Sequence, residues 1–258
     1  MRIIVLIKQV PDTWGERKLS ESTGFVDRAA SDAIIDEINE RAVEVALAYK
    51  DSAKDTEVVV MTMGPASAND VLRKALAMGA DSAVHITDDG LAGSDLGWTA
   101  SALATAIGRD AFDLVVAGNE STDGRGGTIP AMVAEHLGVP HLSSLDSVDL
   151  SPTVISGRRA IEEGAMEVHA GLPAVISVTE RSAEPRFPNF KGIMTAKKKP
   201  LEVLDISALG ADASSLGESR SVIVSVAERP ARTAGHKIID EGNAGNELAE
   251  FLIAGKFI

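Results

Sequence analysis

Residues 118–128, GNESTDGRGGT, combine four glycines with Asp123 and Arg125 just ahead of an apolar run that begins near Pro130 and stops at Gly138. Glycine lets a backbone approach an anion closely, and free amides at a helix start carry partial positive charge. Proline suits a first helical turn, where no amide donor is needed. The pattern therefore fits a phosphate cradle that opens a helix, and it also fits a plain flexible surface loop. Arg125 has the forked donor geometry to grip a phosphate, whereas Asp123 is of the type that more often caps a turn.

Sharper motifs are missing. The loop lacks the Lys-Ser/Thr pair of a P-loop, and the first strand is not followed by GxGxxG, so ATP hydrolysis and ordinary nicotinamide binding lose support. The chain has no cysteine, which removes disulfides, thiolate metal sites and a thiol nucleophile. Histidines at 85, 136, 141, 169 and 236 show no ligand spacing, and Glu135-His136 is not part of an HExxH, so no metal is expected. Glu162 and Glu163 are adjacent, which on a strand sends them to opposite faces; a solvated turn is expected rather than an acid/base pair. The lysines at 197, 198 and 199 read as a solvated run or a patch for acidic partners.

These residues need elements to hold them. Residues 2–8, 57–63, 82–86, 112–118 and 174–180 are short, β-branched, apolar runs of the kind that become buried strands. Helical spacing fills 36–50, 67–78, 96–107 and about 130–137. Alternating strands and helices cover both faces of a sheet and require right-handed crossovers, so the expected fold is α/β: an open, mostly parallel sheet flanked by helices. Such sheets bind ligands at the carboxyl ends of their strands, which points to the loops after Lys8, Met63 and Gly118. Polar-apolar alternation over 145–168 predicts a hairpin added to the sheet. LEVLDI, from residue 201, is strand-like, and the Gly-, Ser- and Ala-rich remainder reads as an extended arm.

A net charge of −13 opposes nucleic-acid binding, which relies on Lys and Arg displacing counterions from phosphates. The N-terminal MRIIVLIKQV is short and broken by Lys8, and no later stretch approaches the roughly 20 apolar residues of a membrane helix. A cytoplasmic protein that is not integral to a membrane is expected.

Five segments carry a resemblance: KQVPDT at 8–13, DEINERAVE at 36–44, RKALAMGAD at 73–81, the loop at 118–128, and EPRFPNFKGIMTAKKK at 184–199. Together they resemble the electron-transfer flavoprotein β-subunit along nearly the whole chain. The resemblance implies an adenine nucleotide α-hydrolase-like fold over residues 1–182, a partner-recognition loop over 183–203, and a C-terminal arm over 204–258 that contacts an α-subunit. It further implies a heterodimer whose redox-active FAD sits mainly on the α-subunit, with a structural AMP in this chain and no substrate chemistry here. Electrons would arrive from flavin dehydrogenases such as acyl-CoA dehydrogenases and leave towards a quinone oxidoreductase or a similar acceptor.

By position, the family's AMP contacts fall on Leu6, Asp36, Glu37, Ile38, Asn39 and Met63, and on the loop residues Gly118, Asn119, Glu120, Ser121, Thr122, Asp123, Gly124, Arg125, Gly126, Gly127 and Thr128. The anchoring leucine of the recognition loop corresponds to Phe190, flanked by Phe187, Lys191 and Met194. Without the family, Phe187 and Phe190 would read as residues that pack the loop down. Many AMP-holding relatives have an acidic loop containing Gln-Thr-Gly, whereas this chain reads STDGRGGTIP, so the cradle rests on backbone. Relatives that bifurcate electrons place a second FAD in the same site, and a stand-alone nucleotide-binding regulatory protein is the reading from a different class.

Overall fold

The computed structural model describes residues 1–209, 221–235 and 237–258; His236 lies outside them. The chain divides into two units, Met1–Val224 and Ser225–Ile258.

In chain order the first unit contains β1 (Arg2–Leu6), β2 (Gln9–Pro11), β3 (Ala33–Ile35), α1 (Glu37–Ser52), β4 (Glu57–Met63), α2 (Asn69–Met78), β5 (Ser82–Ile86), α3 (Leu96–Ile107), β6 (Leu114–Gly118), α4 (Ile129–Leu137), β7 (His141–Leu145), β8 (Ser147–Leu150), β9 (Val154–Ile161), β10 (Gly164–Gly171), β11 (Ala174–Val178), α5 (Phe190–Ala196) and β12 (Leu201–Leu204). Seven strands form one sheet in the order β12-β5-β4-β1-β6-β11-β7. Every pairing in it is parallel. The expected open α/β sheet is therefore present, and it is wholly parallel.

The apolar runs are continuous because both faces are covered. Ile3, Val5 and Ile7 point into a core shared with α1 and α2, while Ile4 and Leu6 point into a second core with α3 and α4. From β1 the chain builds outward through β4, β5 and β12 on one side and through β6, β11 and β7 on the other. The direction of winding reverses between β1 and β6, so the carboxyl ends of these two strands frame the crevice where an open α/β sheet binds ligands.

The two edge strands carry weaker signatures. In β7 only Leu142 and Leu145 are buried, and the register slips beside Ser144, whose φ is +55°. The strand-like LEVLDI supplies β12, which pairs with β5 and so belongs to the sheet. The antiparallel segment after residue 145 is a separate three-stranded sheet, β8 with β9 and β10, not a hairpin joined to the main one. Ile155 of β9 enters the α1/α2 core, and a Cβ on Gly157 would stand 2.5 Å from the Ser147 carbonyl oxygen and 2.9 Å from Leu145, so β9 passes closely over the β7–β8 corner. Glu162 and Glu163 are exposed in the β9–β10 turn, as expected.

The second unit contains one helix among its described residues, α6 (Ala244–Ala254), none of whose residues is buried. Phe251 stacks on Phe257 with ring centroids 6.3 Å apart.

Candidate functional site

The crevice is assembled from the first turn of α1 and the loop after β6. Asp36 caps α1: its Oδ1 accepts the amides of Ile38 at 3.0 Å and Asn39 at 3.3 Å, satisfying donors that a helix start leaves open. Its Oδ2 accepts the amide of Thr122 at 2.7 Å. The side chain is fully buried, so the whole carboxylate is occupied in tying α1 to the glycine loop. Asn39 works beside it, its Oδ1 accepting the Lys8 amide at 2.7 Å as the chain leaves β1. A Cβ on Gly118 would lie 2.5 Å from Asn39 Nδ2 and 3.1 Å from Ile38, which is why β6 must end in glycine. The two-stranded ribbon of β2 and β3 brings α1 up to this corner.

Asp123 anchors the loop's centre. Its Oδ1 accepts Lys8 Nζ at 2.8 Å and the Gly124 amide at 2.6 Å, and its Oδ2 accepts Arg28 Nη2 at 2.8 Å. The side chain is only 1 % exposed. Burial works against its ionisation, but the hydrogen bond and charge of Lys8, with Ser121 and Arg28, hold the carboxyl well below the usual range. Thr122 is also gripped by Arg17, which donates to its carbonyl oxygen and, at 2.7 Å, to that of Pro11. Arg125 sits in the left-handed region at φ +50°, its amide donating to Ser121 O at 2.9 Å and its side chain pairing with Glu120 at 3.3 Å.

Beyond these anchors the loop has unused hydrogen-bonding capacity. The amides of Gly126, Gly127 and Thr128 have no acceptor among the described residues, and Thr128 leads into α4 without a side-chain cap. Asn119 Oδ1 is buried with no donor. Gly126, Gly127 and Thr128 are exposed, so their amides are open to an incoming anion at the helix start, while Asn119 Oδ1 is a buried acceptor of the kind that rarely stays unpaired and suits a hydroxyl or amine. The residues present fit the phosphate of a nucleotide on those grounds.

The anticipated contacts divide between two sides of the sheet. Leu6 and Met63 face the α3/α4 side, where Gly126 also lies, since a Cβ there would stand 3.2 Å from Leu96. Glu37, Ile38, Glu120, Thr122 and Arg125 line a cleft of about 780 Å³ on the α1 side, which Thr13, Arg17, Arg41, Lys74 and residues 184–188 complete. Glu37 there accepts Thr13 Oγ1 at 2.6 Å. Lys8, Arg17 and Arg28 were not anticipated; the KQVPDT segment at 8–13 was a signal for Lys8 alone, and nothing local ties three cations to one loop.

The segment at 184–199 is secured at both ends. Arg186 donates to Glu44 of α1 through Nε at 2.7 Å and Nη2 at 2.8 Å, and Nη2 reaches Asp51 at 2.8 Å. At the far end a Cβ on Gly192 would stand 2.2 Å from Ala77 O, so α5 lies directly on α2. Lys199 caps α2, donating to Leu76 O at 2.8 Å and Ala80 O at 2.5 Å, and burial pulls its amine below the ordinary range. It therefore leaves the solvated run anticipated for 197–199. Between the two ends Phe187 is 93 % exposed, Phe190 80 % and Met194 60 %, with Lys191 also exposed. Phe187 and Phe190 do not pack the loop down.

No group of His, Asp and Glu suited to a metal occurs among the described residues. His85 is buried against Gly64 O at 3.1 Å. No helix among them is long and apolar enough to cross a membrane.

Comparison with known proteins accords with this geometry. The family model for the electron transfer flavoprotein domain matches residues 23–209. The chain is 51% identical over 263 residues to the electron transfer flavoprotein subunit beta of Mycobacterium tuberculosis, covering 99% of each chain. It is 34% identical over 271 residues to the subunit of the same name from Megasphaera elsdenii, covering 100% of each. It is 32% identical over 257 residues to the caffeyl-CoA reductase-Etf complex subunit CarD of Acetobacterium woodii, covering 98% of this chain and 97% of that one. With the domain match spanning most of the chain and the likeness running end to end, the chain belongs to the electron transfer flavoprotein β-subunit family.

Proposed function

We propose that this chain is the non-catalytic half of a heterodimeric electron carrier, holding AMP as a structural ligand while FAD sits mainly on the α-subunit. The observation that carries the reading is the loop after β6, whose Gly126, Gly127 and Thr128 amides have no acceptor among the described residues at a helix start without a side-chain cap. Those amides would hold the phosphate, and Asn119 Oδ1 would take a hydroxyl or amine of the nucleoside. Bound FAD supplies the redox chemistry. This chain's residues bind and orient: Asp36 and Asp123 fix the loop, and the exposed face of 187–194 meets the protein that delivers electrons.

The donors in this reading are flavin dehydrogenases of the acyl-CoA dehydrogenase type, and the acceptor is a quinone oxidoreductase, with the carrier itself cytoplasmic. An exposed aromatic anchor suits a protein that engages several partners in turn.

Co-expression with the α-subunit and extraction of bound nucleotides tests this reading. One FAD and one AMP per heterodimer is the expected result. Two FAD per heterodimer would replace the structural AMP with a second flavin, and a stable monomer indifferent to the α-subunit would favour a regulatory nucleotide-binding protein.

A further inference from the structure

The most fully bonded ionic cluster outside the glycine loop joins α1 to the segment that follows β11. Glu44 receives three hydrogen bonds from Arg186: the backbone amide at 3.1 Å and Nε at 2.7 Å on Oε2, and Nη2 at 2.8 Å on Oε1. The Glu44 side chain is 12 % exposed and that of Arg186 33 %, so water screens the pair less than it screens an ordinary surface pair. Asp51, two turns beyond on α1, takes Nη2 as well, at 2.8 Å. Arg41, on the first turns of the same helix, donates to Ser182 O at 3.1 Å and Ala183 O at 3.2 Å.

Three bonds from one residue to one carboxylate fix a direction as well as a position. The bidentate fork sets the plane of the guanidinium, and the amide bond sets the Pro185–Arg186 peptide, one residue ahead of Phe187. Phe187 is the next residue, and Asn189 caps α5 by accepting the Gly192 amide at 2.8 Å, which places Phe190 at the helix start. The far end of the segment is already fixed by the contact of Gly192 on Ala77. The course of residues 187–191 is thus set by two ends, of which Arg186 is the one next to the exposed aromatics. A partly buried ion pair contributes little net stability compared with an apolar contact of the same size, so its chief effect is directional. A lysine cannot reproduce the fork.

We infer that Arg186, held by Glu44, is a positioning residue that presents Phe187 and Phe190 to the electron-donating protein. The inference rests on the reading of 187–194 as the docking face, and the experiment separates the two. The α–β heterodimer with its flavin bound is reduced by an acyl-CoA dehydrogenase charged with its own substrate, and separately by dithionite. Hydrogen exchange is followed at the amides of residues 187–196. Arg186→Gln and Glu44→Gln are each expected to raise the KM for the dehydrogenase about tenfold with kcat little changed, and to speed exchange by a similar factor. Reduction by dithionite should stay the same. Arg186→Lys should fall between, and the double variant should be no worse than either single one, because both remove the same interaction.

Arg186→Lys also serves if Arg186→Gln fails to assemble. Phe190→Ala should raise KM without altering exchange. Unchanged KM in the Arg186 and Glu44 variants overturns the positioning role, whether or not exchange quickens. Raised KM and quickened exchange in those variants, with Phe190→Ala silent, keeps Arg186 as the positioning residue and removes Phe190 from the docking face. A fall in kcat with KM unchanged overturns the inference in favour of an effect on the flavin environment.

Discussion

Asp36 and Thr122 lie 86 residues apart in sequence, yet the Asp36 carboxylate accepts the Thr122 amide at 2.7 Å while capping α1 with its other oxygen. One buried side chain thereby sets both the start of a helix and the path of the ligand loop. Replacing Asp36 with Ala removes the cap and leaves the Thr122 amide without its acceptor. Loss of such a cap costs about 1 kcal/mol, and a buried donor left unpaired about 1–3 kcal/mol. The heterodimer carrying Asp36→Ala should unfold at lower denaturant concentration and lose nucleotide on gel filtration. An unaltered midpoint together with full nucleotide retention would contradict the tie.

Gly118→Ala tests the close approach of β6 to α1. The new Cβ would stand 2.5 Å from Asn39 Nδ2, so Asn39 has to move and release the Lys8 amide. Overpacking of this kind costs about 1–3 kcal/mol. Thermal denaturation should register the loss, and Gly124→Ala, where a Cβ comes no nearer than 3.8 Å to Ser121 Oγ, should be close to neutral.

Asp123 makes acid stability a readout of the loop. Its carboxyl is depressed in the folded state, chiefly by Lys8 acting against burial, so its contribution is fully present above the unfolded pKa near 4. That contribution is lost as pH falls from there through the lower folded value. Asp123→Asn should lower stability at pH 7 by about 1–2 kcal/mol, a discounted figure because Lys8 and Arg28 are each nearly half exposed, and should flatten the slope below pH 4. Denaturant melts from pH 3 to pH 7 decide it: parallel curves for the variant and the parent would count against a depressed carboxyl.

Phe190→Ala removes the larger part of an aromatic side chain that is 80 % exposed. Folding and flavin content should not change, since almost nothing is buried there. Reduction of the heterodimer by its dehydrogenases should slow by about tenfold or more at sub-saturating concentration, the size expected of an interface anchor. Stopped-flow traces that overlay those of the parent protein would remove Phe190 from the docking face.

Much of the fold was legible because the central strands, such as RIIVL and LVVAG, are buried on both faces and so need to be apolar throughout. Helix ends were readable where a local residue makes them, as Gly79 and Gly138 do for α2 and α4. The edges were less so: β7 keeps two serines and β12 is exposed at Glu202 and Val203, which leaves no unbroken run. Helix α5 is only seven residues and carries a glycine and a threonine, both poor helix formers, so its contact with α2 decides its conformation.

The sequence by itself determined the parallel α/β architecture, the glycine loop at the carboxyl end of a strand and the membership of a family, because strand burial, turn glycines and motif spacing are local properties. Tertiary structure alone decided which charges meet. Asp123 is paired with Lys8 and Arg28, and Glu44 with Arg186, across 95 to 142 residues. A side chain's partner at that separation depends on how strands are ordered in the sheet, and no local pattern of residues encodes that order.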